Sequence, residues 1–291
     1  MSEEGSALRS KPYVVVVSEQ DPVATEVAAR WGTPPATGYH VDGAVVRRLS
    51  DRALLLRRPG RHIHDELLDA RLPASLRDLR PTLVFPSIHR SEQNVPCLTV
   101  HPLGNLGSTA EVGGRPKVLV PTDPLRMAGA LRLLAEAGRA VGLSATYEAT
   151  HHGPELGLPA MFVEIGHGTD PAPPTSAVRV LSDAIPHLPA DDCDRVALAV
   201  GGGHYAPHFT DLALKRHWAF GHIISRHALT TLDAGMARSA FELSNGADGW
   251  VPARAEDARH AALVNVGRRL RDSDAPTRGA NSPRPTSASG T

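Results

Sequence analysis

The chain has no net charge. Over 291 residues, 31 Lys and Arg balance 31 Asp and Glu, with histidine counted as neutral. No global basic field announces a nucleic-acid partner, and no acidic field announces a basic one. Any contact with RNA must come from a local patch. Cysteine is almost absent. Cys97 and Cys193 lie far apart and make no C-x-x-C pair. That excludes a disulfide framework, a disulfide partner and a cysteine-based zinc site, and it fits a reducing, cytoplasmic setting. Cys97 sits in an apolar run and reads as a small core residue. Long apolar runs are missing too. Tyr13–Val17 (YVVVV) is far too short to span a bilayer, and the opening MSEEGSALRSKP has no apolar signal core, so no membrane partner is expected. G-x-G-x-x-G, the Walker loop, G-x-S-x-G and H-E-x-x-H do not occur, which removes support for a nucleotide cofactor, a serine hydrolase or a zincin.

What the chain does have is histidine, 15 residues in all, and an alternation of short β-branched runs with helical stretches. That alternation is the signature of an α/β fold. Tyr13–Val17 reads as a buried strand, Asp21 as a helix N-cap, Pro22 as the first helical residue and Gly32 as the exit. The same grammar returns at Val118–Val120, Asp123 and Pro124. There Met127, Leu131, Leu134, Gly138 and Val141 form one apolar stripe, and Gly142 ends the helix. Further strands are expected at Thr82–Phe85, Leu98–Val100, Thr146–Ala149, Phe162–Ile165 and Val196–Val200, and helices near 176–185, 210–219, 227–242 and 254–270. The stretch 34–80 gives no clear pattern. The expected organisation is one domain over 11–270 and a disordered Pro/Ser-rich tail over 271–291.

The histidines fall in one kind of place. His89, His101, His151, His152 and His204 each lie just past an expected strand. Ligands of open α/β sheets bind outside the carboxyl ends of the strands. If the strands are mostly parallel, these imidazoles and Glu164 share one rim. His167 and His208 also follow strands. His40, His62, His64, His187, His217 and His260 lack that context and read as surface residues; His222 and His227 fit either reading. Adjacent side chains on a strand point to opposite faces. His151 and His152 therefore serve one site only if the chain turns there, as Gly153-Pro154 suggests. Glu148 shares a side with Thr146 and Thr150. Histidine plus carboxylate without thiolate suits a catalytic Zn²⁺ with an open position. It equally suits a metal-free general base oriented by a carboxylate. Gly201–Gly203 reads either as a sharp strand-to-loop turn needing positive φ or as bare backbone offering N–H donors to substrate.

The stretches LTVHPLGN (from Leu98), EATHHGP (148–154), FVEIG (162–166), GGGHYAPHFT (201–210) and GHIIS (221–225) occur in this order. In them the chain resembles the archaeal and plant type of D-aminoacyl-tRNA deacylase, over roughly residues 13–240. The resemblance implies a three-layer α/β/α fold with a mixed, mostly parallel sheet, similar to phosphorylases and peptidyl-tRNA hydrolases. It also implies a zinc-dependent hydrolase that cleaves the ester joining a D-amino acid to tRNA. His89, His101, His151, His152, Glu164, His204 and Tyr205 match the family pattern; His167, His208 and 225–227 depart from it.

The expected roles are these. His151, His152, His204 and Glu148 are catalytic. His89, His101, His152, Glu164 and His204 hold Zn²⁺. Gly201, Gly202, Gly203, Tyr205, Asn105, Lys215 and Arg216 bind substrate. The aminoacylated end of tRNA and a D-amino acid are the partners, with phosphate contacts from Arg57-Arg58-Arg61, Lys215-Arg216 and Arg226. A metal- or RNA-binding module without hydrolysis stays open, as does a related hydrolase acting on peptidyl-tRNA or nucleosides.

Overall fold

A computed structural model describes residues 11–90, 96–167 and 172–274. The main sheet takes its strands from the first two thirds of the chain: β1 (Tyr13–Ser18), β2 (Ala36–Val41), β3 (Ala44–Arg48), β4 (Ala53–Arg58), β5 (Thr82–Arg90), β6 (Cys97–His101), β9 (Ser144–Tyr147) and β10 (Ala160–His167). Their order is β2-β3-β4-β1-β5-β10-β6-β9. β4, β1, β5 and β10 are parallel, and β6 pairs with β10 antiparallel and with β9 parallel. A short pair, β7 (Gly104–Asn105) and β8 (Val118–Leu119), lies apart. β11 (Arg195–Val200), β12 (Trp218–Ile224) and β13 (Gly249–Pro252) form a second, parallel sheet in the order β12-β11-β13. The fold is mixed α/β with helices flanking largely parallel strands, and the strand expected at Val196–Val200 belongs to the second sheet.

The YVVVV run is apolar throughout because β1 is buried on both faces. Tyr13, Val15 and Val17 face one cluster, with Val23 and Val27 of α1 (Pro22–Ala29), Met127, Leu131 and Leu134 of α3 (Pro124–Arg139), and Val178 and Leu181 of α4 (Thr175–Ala184). α2 is the single turn Ala74–Arg77. Val14 and Val16 face a second cluster containing Leu83, Phe85, Leu103 and Phe162. Asp21 caps α1, accepting from Ala24 N at 2.8 Å, and Asp123 caps α3, accepting from Arg126 N. The expected stripe on α3 is buried except for Val141, which lies beyond the last helical turn.

Three helix expectations are corrected. The helix near 210–219 is α5 (Pro207–Arg216), stopped by His217 in the left-handed region, and WAFGHII then forms β12. The span 227–242 divides into α6 (Arg226–Leu229), capped by Ser225, and α7 (Ala234–Glu242), capped by Asp233. The span 254–270 holds only two short 3-10 turns, Asp257–Arg259 and Ala261–Leu263. Asn265 and Gly267, both at positive φ, then turn the chain so that Arg269 bridges to Trp250. Of the expected tail, 275–291 lies outside the described residues. Among the described residues no helix is long and apolar enough to cross a membrane. Cys97 and Cys193 are buried free thiols.

Candidate active site

Period-2 alternation on three adjacent strands builds the floor of the site. Register aligns Phe162 with Phe85 and His101, Glu164 with Ser87 and Thr99, and Gly166 with His89 and Cys97. Paired residues point to the same face, so His89, Ser87, Glu164, Thr99 and His101 continue the apolar face begun by Phe85 and Phe162. His101 stacks on Phe162 with centroids 5.1 Å apart and planes 2° from parallel. The expected gathering on a common rim of carboxyl ends is therefore corrected. β6 runs antiparallel to β10, and its carboxyl end lies level with the first half of β10. The imidazoles meet on the sheet's face, above the middle of β10.

The strap 148–153 crosses this floor and is held at almost every residue. Glu148 N donates to Val100 O, Ala149 N to His204 O, Thr150 N to Ile223 O and Gly153 N to Val112 O, all at 2.8–3.1 Å; Gly104 N donates to His152 O at 2.8 Å. His152 has φ +44. This turn brings the adjacent His151 and His152 rings to one side, 4.4 Å between centroids. Behind the strap, Thr150 Oγ1 accepts from Ile223 N and meets Nδ1 of the buried His222 at 3.1 Å. His204 and Tyr205 arrive over the top. Gly201 and Gly202 have φ +97 and +87, bending the chain after β11, and Tyr205 forms a β-bridge with Glu148.

Glu148, wholly buried, has Oε2 3.0 Å from His204 Nε2, 3.3 Å from His89 Nδ1 and 3.7 Å from His151 Nε2. Glu164 Oε2 lies 3.6 Å from His89 Nδ1 and 3.5 Å from His101 Nε2. These are close approaches rather than aligned hydrogen bonds, since both Glu148 oxygens lack an aligned partner among the described residues.

The charges divide in a definite way. Burial opposes ionisation of Glu164, but His101 and His89 outweigh it and hold the carboxyl well below its usual range. Burial likewise works against a charge on His89 and His101, but Glu164 and Glu148 lift both above the ordinary imidazole value. His151 goes the other way. Burial, then repulsion from His101, His152 and His204, pushes it well down. Burial and His101 hold His152 at about 4. His151 Nδ1 lies 2.8 Å from Ala149 O, and His152 Nδ1 2.7 Å from Gly153 O. A carbonyl only accepts, so each Nδ1 donates, and in the neutral ring each Nε2 is left bare. One cleft thus holds two imidazoles tuned toward cation and two tuned toward base.

The expected zinc centre is corrected. Its five assigned ligands do not surround one point. The donor atoms divide among three overlapping groups: His89, Glu148, His151 and His204; His101, His151 and His152; and His101, Glu148 and Glu164. No group contains more than two of His89, His101, His152, Glu164 and His204. Glu148 and His151, expected as acid/base groups, occupy two groups each. The expected set of five therefore does not close around a single zinc ion.

The cleft in front has a volume of about 480 Å³ and is lined by Asp21, Arg61, His62, Ser87, His89, His151, His152 and Glu164, among others. His62, Ser87 and Asp21 were not expected here. His62 is buried, with Nε2 3.1 Å from Ser87 Oγ; Ser87 Oγ donates to Asp21 Oδ2 at 2.8 Å. Asp21 was read only as a cap. Ser87 was legible in principle, two residues before His89 on the same strand. Nothing local in the sequence marked His62.

Of the other expected residues, Tyr205 stays at the site and the rest stand elsewhere. Gly201 N–H is taken by Ile224 O at 2.7 Å, and a Cβ there would meet Asp257. Gly203 is exposed. Tyr205 lies beside His89, 5.7 Å between rings, with its hydroxyl 3.8 Å from Cys97 Sγ. Asn105 Nδ2 holds Gly113 O. Lys215 pairs with Asp211 at the far end of α5, where Arg216 is exposed, and neither lines the cleft. Arg226 is tied to Asp257, and His208 Nε2 lies 3.7 Å from Asp272. The side chain of His167 lies outside the described residues.

Paired carboxylates and imidazoles thus stand over one face of a mixed α/β sheet. The D-aminoacyl-tRNA deacylase family signature matches residues 79–263. The chain belongs to the D-aminoacyl-tRNA deacylase family. It is 36% identical over 168 residues to a D-aminoacyl-tRNA deacylase of Thermoplasma volcanium, covering 58% of this chain and 65% of that protein. It is 39% identical over 199 residues to one of Methanoregula boonei, covering 67% and 43%. The matched part thus spans less than two thirds of these relatives' length. A crystal structure of a conserved protein of unknown function, AF0625, is similar over 91% of this chain and 96% of its own, with 28% identity and a TM-score of 0.75.

Proposed function

We propose that this chain hydrolyses the ester joining a D-amino acid to the 3′ end of tRNA, releasing the amino acid and the tRNA. Family membership supports the substrate class and the D-configuration. The observation that carries the chemistry is the split in protonation within one cleft, with His151 and His152 pushed toward neutral and His89 and His101 toward cation. Bare His151 Nε2 and Glu148 Oε2 lie 3.7 Å apart, close enough for one water beside them to reach both. In this reading that water loses a proton to His151 while its oxygen attacks the ester carbonyl. The cationic His89 stabilises the oxyanion as charge develops. The bond to the ribose oxygen then breaks, and the proton returns to that oxygen through His204, whose side chain is half exposed and lies 3.0 Å from Glu148. His152, its bare Nε2 beside His101, is the second neutral base of the cleft. The catalytic unit is residues 11–270, acting in the cytoplasm.

The test compares D-aminoacyl-tRNA, L-aminoacyl-tRNA and peptidyl-tRNA as substrates of the wild type and of His151→Ala. Release from the D-substrate, reduced about 100-fold or more in the variant, is expected. A protein that binds all three and cleaves none refutes the reading.

A further inference from the structure

The cleft has two walls, and the proposed chemistry uses only one. The other is built from the end of β1 and the turn after β4. Three arginines lie there in sequence, and two are already engaged. Arg58 is buried and pairs with Asp42 and Asp65, both at 2.7 Å. Arg57 Nη2 donates to Ala28 O. Arg71, nearby in space, is taken by the same two carboxylates as Arg58. Arg61 alone of these lines the cleft. It is exposed and has no ion-pair partner among the described residues.

Its root is nevertheless fixed. Ser18 Oγ donates to Gly60 O at 2.9 Å, Gln20 Nε2 to Pro59 O at 3.0 Å, and His64 N to Arg61 O at 3.0 Å. The one carboxylate beside it on this wall, Asp21, is turned inward, accepting from Ala24 N, Ser87 Oγ and Ile88 N. The result is an arginine on a pinned turn, lining the same cleft of about 480 Å³ as His89, His151, His152 and Glu164, a volume within the range of small-molecule sites. A planar fork of donors with no carboxylate suits a phosphate. Arg61 precedes the family-matched segment 79–263.

We propose that Arg61 binds the 5′-phosphate of the terminal nucleotide whose 3′ oxygen carries the ester. This assignment rests on the reading of the cleft as an aminoacyl-tRNA site. It makes Arg61 a positioning residue, one that sets how the nucleotide enters without touching the reacting atoms.

The experiment separates the phosphate from the ester. Binding of adenosine and of adenosine 5′-monophosphate is measured by calorimetry on the wild type and on Arg61→Gln, and hydrolysis of 3′-D-aminoacyl-adenosine with and without a 5′-phosphate is measured on both. The wild type is expected to favour the monophosphate over adenosine by about tenfold or more, the size of one charge-assisted contact, and Arg61→Gln to abolish that preference. In turnover, Arg61→Gln raises KM for the phosphorylated ester alone and leaves kcat unchanged. Equal binding of adenosine and its 5′-monophosphate by the wild type, or an equal loss on both in the variant, overturns the assignment. A preserved phosphate preference in a protein that hydrolyses neither ester refutes the hydrolytic reading and leaves the phosphate site standing.

Discussion

Replacing Gly201 with alanine tests the bend that delivers His204 to Glu148, and Gly202→Ala supplies the control. Both glycines sit at positive φ, +97 and +87. Each substitution therefore carries a backbone cost of about 1–2 kcal/mol. Their surroundings differ. A Cβ on Gly201 would run into the Asp257 carboxylate, 2.5 Å from its Cγ, whereas at Gly202 the nearest atom is a ring carbon of Phe209 at 4.0 Å. Asp257 is nearly fully buried and cannot retreat cheaply. It accepts from Arg226 Nε and Nη2 at 3.0–3.1 Å and from Arg254 N at 3.1 Å. Displacing it loosens contacts of a charged group, each worth about 1.5–3 kcal/mol. Gly201→Ala is thus expected to lose about 3–4 kcal/mol and Gly202→Ala about 1–2, against a total stability of about 5–15 kcal/mol for a domain. Urea unfolding at constant m-value reads the difference. Equal losses in the two variants would show that Asp257 yields freely and refute the reasoning. Just beyond the bend, His204 O accepts from Ala149 N at 2.8 Å, so Gly201→Ala should also lower turnover at temperatures where the protein remains folded.

Glu148→Gln keeps the shape of a wholly buried side chain and removes its charge; kcat for the ester is expected to fall about 100-fold or more with KM little changed, read by steady-state kinetics. His222 gives a pH signature in stability. Burial holds it at about 3 in the folded protein, below the unfolded value near 6.5. The unfolded chain therefore binds the extra proton between those values, so stability is complete above about pH 6.5 and drains as pH falls toward 3. Between pH 7.5 and 5, His222 accounts for a loss of about 2 kcal/mol, and His222→Gln should flatten the urea-midpoint profile by that amount; an unchanged slope counts against a neutral buried ring. Asp21→Ala removes the α1 cap and the acceptor for Ser87 Oγ and Ile88 N, so a stability loss of about 2–3 kcal/mol is expected, again read by urea unfolding.

Local patterns carried much of this structure. The Asp-Pro openings of α1 and α3 were readable because capping is decided within four residues. β1, β5, β6, β10 and β11 were readable because both-face burial writes itself as a continuous apolar run. The gathering of His89, His101, His151, His152 and His204 was also legible, although its geometry was not. A strand's direction relative to its neighbour leaves no mark in its own residues, and the reversal of β6 moved the meeting point from the rim to the face. The helices expected over 227–242 and 254–270 failed for a related reason. Helical spacing of apolar residues continues through Asp233, Asn265 and Gly267, but caps and left-handed backbone at those points divide the chain. His62 was missed because its partners Ser87 and Asp21 come from β5 and the α1 cap, distant in sequence from one another.

The stacking of His101 on Phe162 ties the reactive groups directly to the apolar interior. Phe162 also stacks on Phe85 at 5.0 Å and touches the rings of His62 and His152 at 5.1 and 4.8 Å. A core substitution here that left the fold intact would still tilt three imidazoles at once. The interior beneath the cleft and the imidazoles above it are thus one aromatic layer, in which packing and ring orientation are set together.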